Sequence, residues 1–220
     1  MNNCEEFSCP EIEVPLIELK EALRCIVNTI IFNRSIGGTR PIEPVTIRSQ
    51  LFDVAYLKLD VPELDAAVEE RIRAFSESIE THPPSLALVV SFYSEVVKDS
   101  GILWQVLSGK KTEKIYFERW RIPVKLVTES SDASTSANSM SPKNKFGISP
   151  QQREGGSVAV SQVKAALWFV LRKVGEKMDH LPAAPVQWIY PVEVSFEKSK
   201  DTPWSPRNFA SSIKNIPYLT

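Results

Sequence analysis

The 220-residue sequence has no surplus of either charge: 26 Lys and Arg stand against 27 Asp and Glu, a net charge of −1. A chain that binds by neutralising phosphates carries a basic excess or stripe, so nucleic acid is not an expected partner. No apolar run approaches the roughly 18 residues that span a bilayer as a helix. Residues 1–6 are polar and acidic, without the basic and apolar regions of a secretory leader. Cysteine is scarce. Cys4, Cys9 and Cys25 form an odd set, and Cys25 sits in a helical apolar pattern, which suits a reducing compartment and no disulfide framework. Cys4 and Cys9 have no His or Cys pair downstream at a ligand spacing, so no metal is expected. There are two histidines. His82 precedes a double proline and His180 follows a helical pattern, and both read as surface or helix-end residues rather than general bases. Gly37-Gly38 and Gly155-Gly156 match neither a phosphate loop nor a dinucleotide fingerprint. Catalysis has no support here, and no cofactor is expected.

What is present is hydrophobic periodicity. Residues 15–32 read as an amphipathic helix, with Leu16, Leu19, Leu23, Ile26, Val27 and Ile30 at spacings of three and four. Gly37-Gly38 and Pro41 stop it. Residues 45–59 have β-type composition, enough for one or two strands. Asp60-Val61-Pro62-Glu63 predicts a helix start with Asp60 as its cap, and Leu64, Val68, Ile72, Phe75 and Ile79 mark the buried face. Residues 86–93 are almost continuously apolar, the mark of a central buried strand. In 115–127, Trp120, Ile122, Val124 and Leu126 alternate with Arg119, Arg121 and Lys125, which predicts one core face and one wet face.

Residues 128–156 are rich in Ser, Asn, Gly and Gln with few large apolar residues, a composition expected of a disordered insertion within the domain. A third helix is predicted over about 157–178, with Val160, Val163, Leu167, Val170, Leu171, Val174 and Met178 as its core stripe. Trp188, Tyr190, Val192, Val194 and Phe196 alternate as a last strand, and 198–220 reads as an irregular tail. The order α, β, α, β, β, α, β predicts an α+β fold, three helices packed on a mainly antiparallel sheet, as a single domain over 1–220.

Two segments are candidate partner-binding surfaces. Ile102, Leu103, Trp104, Val106 and Leu107 place five large apolar residues between polar loops at no settled spacing. They are either an edge segment packed back on the core or an exposed finger that docks a partner or the membrane interface. On the third helix, Trp168 stands one step from the core stripe. It either flanks the core or shares an outward face with Lys164 and Arg172.

Several ordered stretches carry a resemblance: 13–14 with 28–37, Phe52 to Leu57, Glu63 to Ala67, Ser91-Phe92-Tyr93, Phe117-Glu118-Arg119-Trp120 and Asp179-His180-Leu181-Pro182. Together, over most of 10–198, the chain resembles the autophagy-related protein 101 family. The resemblance implies a HORMA domain and a non-catalytic protein. It implies pairing with, and stabilisation of, the HORMA domain of autophagy-related protein 13, within the Ser/Thr kinase complex that initiates autophagosome formation. It further implies a cytoplasmic protein recruited to the preautophagosomal structure, with membrane contact only indirect or peripheral. By analogy with checkpoint HORMA proteins, the third helix is the expected dimer surface.

The sequence departs from the metazoan pattern in lacking a Trp-Pro-Phe finger; Trp104-Gln105-Val106 is a loose positional counterpart. That and the long Ser-rich insertion are similar to a divergent, fungal-type member. Two other readings stay open: a HORMA module of another branch that traps a linear peptide under 198–220, and a peripheral membrane adaptor using 102–107. The lack of a basic patch weighs against the second.

Overall fold

A strand that is apolar on both faces has to lie between two others and under cover on both sides. In the computed structural model, which describes residues 4–35, 43–81, 85–97, 112–127, 154–183 and 190–198, the apolar run lies in such a strand. The elements follow in the order β1 (Glu5–Ser8), β2 (Ile12–Val14), α1 (Leu16–Ser35), β3 (Pro44–Ser49), β4 (Val54–Leu59), α2 (Pro62–Thr81), β5 (Ser85–Val97), β6 (Thr112–Leu126), α3 (Glu154–Glu176) and β7 (Val192–Lys198). The main sheet runs β1-β6-β5-β7, with β2 also on β6, and β3 and β4 form a separate hairpin. β5 is antiparallel to both β6 and β7, while β1 and β2 lie parallel along the far edge of β6. The predicted α+β fold is therefore present: among the described residues, three helices and a mixed, mostly antiparallel sheet.

The parallel edge was not foreseen. Residues 5–14 run along β6 as one interrupted strand, broken at Pro10, which has no N–H to offer a ladder. Their apolar content is only Phe7, Cys9, Ile12 and Val14, all buried. Cys9 N donates to Arg121 O at 2.8 Å and bridges the break.

The two faces of the sheet are covered by different means. Leu86, Leu88, Val90 and Phe92 of β5, with Trp120, Ile122 and Val124 of β6, meet the helices in one apolar core. On the other face, Ala87, Val89 and Ser91 are equally buried, although among the described residues no helix covers them. Long charged side chains from β6 and β7 reach across them. Arg121 meets Glu197 at 2.6 Å, and Glu193 takes both Lys114 at 3.2 Å and the Tyr116 hydroxyl at 2.9 Å. At the parallel edge, Arg119 pairs with its register partner Glu6 at 3.0 Å, and Lys125 with Glu13 at 2.6 Å. Burial first, then the Glu193 carboxylate, holds the Tyr116 phenol above its ordinary range, so it remains a donor. The expected wet face is thus polar at its surface but dry at the backbone, and Arg119 itself is buried.

The helices start and end as their chemistry directs, with one correction. The first i→i−4 bond of α2 runs from Asp65 N to Val61 O at 3.0 Å, so Val61 and not Asp60 is the cap, and Pro62 takes the first helical position. α1 carries buried and part-buried polar residues that bond to their own helix. Asn28 Nδ2 donates to Arg24 O at 2.9 Å, Thr29 Oγ1 to Cys25 O at 2.7 Å and Asn33 Nδ2 to Thr29 O at 2.7 Å. The β3–β4 turn places Asp53 at φ 48, a left-handed conformation that Asp tolerates. β7 begins at Val192; Trp188 and the insertion and tail expected at 128–156 and 198–220 lie wholly or almost wholly outside the described residues, as does His82.

All three cysteines are free thiols. Burial pushes Cys9 and Cys25 up to about 12, and raises the half-buried Cys4 less far. In native protein at neutral pH, a thiol reagent followed by peptide mass spectrometry is expected to label Cys4 first. Cys9 and Cys25 react only on unfolding, and prompt labelling of Cys25 would contradict this core.

Candidate functional site: the third helix and its anchor

The site is built from an irregularity in β6. Phe92 pairs with Glu118 and Tyr93 with Tyr116, so Phe117 has no register partner of its own. A bulge of this kind lets two successive residues turn to the same side. Phe117 and Glu118 are both buried, while Tyr116 and Arg119 stay on the outer face, the guanidinium 5.6 Å from the Tyr116 ring centre.

Glu118 is 0% exposed, and a carboxylate so placed is costly unless it is matched. Arg34 Nε donates to Oε1 at 2.8 Å, and the Trp120 indole N–H donates to the same oxygen. His180 Nε2 lies 2.6 Å from Oε2. The carboxylate accepts, so the bonding pattern assigns His180 as the Nε2–H tautomer, and its Nδ1 is buried without a hydrogen-bond partner. The Arg34 guanidinium also lies 5.8 Å from the Trp120 ring centre, and Phe7 packs on that ring at 4.4 Å. His180 is therefore no surface histidine: its side chain is 7% exposed and turned inward. Its position after a helix is visible in sequence, but its target is 62 residues away.

The two remaining nitrogens of Arg34 reach α3. Nη1 donates to Val174 O at 3.2 Å and Nη2 to Lys177 O at 3.1 Å. Carbonyls at a helix end have no partner within the helix, and the dipole there favours a cation. One side chain of α1 thus joins β6 to the exit of α3. Leu181 N to Met178 O at 3.1 Å and the Tyr190 hydroxyl to Pro182 O at 2.7 Å fix the segment beyond.

α3 buries Ala159, Val163, Ala166 and Val170 against the core, and Gln162 Oε1 accepts from Glu13 N at 2.6 Å. Its outward face resolves the ambiguity over Trp168, which is 73% exposed. Lys164 and Arg172 flank it one turn to either side on the same face. Lys164 Nζ lies 3.5 Å from Asp53 on the hairpin turn, and Arg172 pairs with Glu176 at 3.2 Å. Two residues expected in the core stripe are exposed instead, Leu171 at 46% beside Trp168 and Met178 at 62%. Leu171 is a 100° step from the buried Val170, beyond the reach of α1, and Met178 lies past the last helical residue. The other candidate, Ile102 to Leu107, lies outside the described residues.

A groove of about 220 Å³ between α1, α2 and the hairpin has its charged groups committed to one another. Arg24 binds Glu69 in a fork at 2.7 and 2.6 Å, and Lys58 meets Asp65 at 2.6 Å. Among the described residues no cluster of His, Cys, Asp and Glu could hold a metal ion, and no helix is long and apolar enough to cross a membrane.

The described residues, three helices on a mixed sheet, define an α+β protein consistent with a HORMA-like domain. A family model described as autophagy-related protein 101 matches residues 11–187, and the chain belongs to that family. It is 29% identical over 203 residues to "Autophagy-related protein 101" of Arabidopsis thaliana, covering 91% of this chain and 90% of that protein. The family is one of autophagy accessory proteins rather than a known enzyme class, and a role in autophagy follows.

Two substitutions test the anchor and the face. Glu118→Gln leaves the Arg34 charge buried without its counter-ion and is expected to cost about 3–5 kcal/mol in urea unfolding, whereas the apolar pair Arg34→Met with Glu118→Leu should recover most of it. At Gly175 an added Cβ meets nothing within 4 Å. Gly175→Ala is therefore expected to stabilise α3 by about 0.5–1 kcal/mol, read as a higher Tm.

Proposed function

We propose that the protein is a non-catalytic scaffold subunit of the autophagy-initiating Ser/Thr kinase complex. In this reading it pairs through the outer face of α3 with the HORMA domain of autophagy-related protein 13 and stabilises it. The observation that carries the reading is Trp168, 73% exposed on a helix face that also offers Leu171, with the exposed Met178 just past the helix end. A large aromatic side chain left in water on a rigid helix is the kind of anchor that concentrates binding energy at protein interfaces. Family membership supports an autophagy partner, and the α+β fold supports HORMA-to-HORMA pairing. The same proposal treats residues 1–220 as one HORMA-like domain in the cytoplasm, brought to the preautophagosomal structure by its partner.

Co-purification of the full chain with the HORMA domain of autophagy-related protein 13 tests it. A complex at micromolar concentration is expected. Trp168→Ala should weaken it by about 2 kcal/mol or more, near thirtyfold in Kd, with an unchanged urea midpoint. No complex between the wild-type proteins would sink the partner, and a complex indifferent to Trp168→Ala and Leu171→Asp would remove α3 from the interface.

A further inference from the structure

We infer that Arg34, on a different helix and buried beneath the surface, is a positioning residue for the α3 docking face; this rests on the reading of that face as the partner's seat. The N-terminal half of α3 is held by packing, through Ala159, Val163 and Ala166, and by the Gln162 bond to Glu13. Packing fades toward the other end. Val174 is only half-buried, and Gly175 to Asp179 are all exposed. In the last turn the apolar contact is reduced to Val174, which packs on the core only partly buried. Two N–H groups of Arg34 hold the carbonyls there, on Val174 O and Lys177 O, while its third nitrogen is locked to Glu118.

Leu171 and Met178 lie within a turn of this clamp, and Trp168 within two. The guanidinium fork is rigid and planar, so it transmits the position of Glu118 to the helix end; an ammonium is a point donor that cannot span three acceptors in the same way. Arg34 thereby sets where the apolar side chains of the face stand before any partner arrives, and preorganisation of that kind slows dissociation.

The test compares the full chain as wild type, Arg34→Lys, and an α2 core variant (Ile72→Val or Ile72→Ala) chosen to match the loss in urea midpoint. Residue-resolved amide exchange is expected to quicken by roughly tenfold or more over residues 171–179 in Arg34→Lys, relative to α2 and β5, as two charge-assisted bonds are lost. The core variant should show no such localisation. A fluorine label on Trp168 should shift in Arg34→Lys and not in the core variant.

Dissociation of the autophagy-related protein 13 HORMA domain should be about tenfold faster from Arg34→Lys. Exchange that rises evenly, as in the core variant, overturns the inference, and so does local loosening with unchanged dissociation. Should Arg34→Lys fail to fold, Arg34→Met with Glu118→Leu keeps the core filled while removing the clamp, and must give the same local loosening. Absence of a wild-type complex, with loosening still confined to 171–179, overturns the partner reading and leaves Arg34 a purely structural clamp. A wild-type complex without that loosening overturns the positioning role alone.

Discussion

A carboxylate shut away from water cannot be left to find partners by chance, and Glu118 dictates much of what surrounds it. Its two oxygens take an arginine from α1, an indole N–H from its own strand and an imidazole from beyond α3. Removing one partner from such a group costs about 3–5 kcal/mol, a large part of the stability of a domain this size. The cluster is therefore a condition on the fold: α1, β6 and the exit of α3 must arrive together. The bulge at Phe117 leaves Glu118 on the core face with Trp120 and turns Phe117 inward beside it, where unbroken alternation would place Phe117 with Arg119.

The outer face of the sheet shows a second solution to burial. Exposed ion pairs contribute about 0–1 kcal/mol each, so the pairs across β5 are not there chiefly for Coulomb energy. Their side chains reach across Ala87, Val89 and Ser91, over which the described residues place no second layer, and long charged side chains can cover apolar surface in this way. With that face closed by charge and the opposite one by helices, the apolar surface carried by Trp168 on α3 stands apart as one that neither device covers. That surface lies on a helix exterior rather than in a cleft, and the chain around it belongs to a family of autophagy accessory proteins.

Local pattern made some elements legible and not others. α1, α2, β5 and most of β6 and α3 were readable because each buries a face whose period is written in consecutive residues. β1 and β2 were not: strands of four and three residues with acidic side chains alternate over too short a stretch to read, and they pair in register along the edge that β6 offers. The same limit applied at the site. Lys164, Trp168 and Arg172 share a face by helix geometry alone, so they could be grouped from sequence. Whether that face met the core or the solvent could not, since a Trp one step from an apolar stripe fits either.

The amino-acid sequence by itself determined the element types, the alternation of β6, the family and the spacing of the α3 face, because all of these depend on neighbours within a few residues or on ordered similarity along the chain. Tertiary structure decided the rest. It turned His180 from a helix-end residue into a ligand of a buried carboxylate, moved Leu171 and Met178 out of the core, and gave Arg34 three acceptors, two of them 140 and 143 residues away. The physical reason is the same in each case. A charge can be buried only where its partners converge, and convergence is a property of the folded chain.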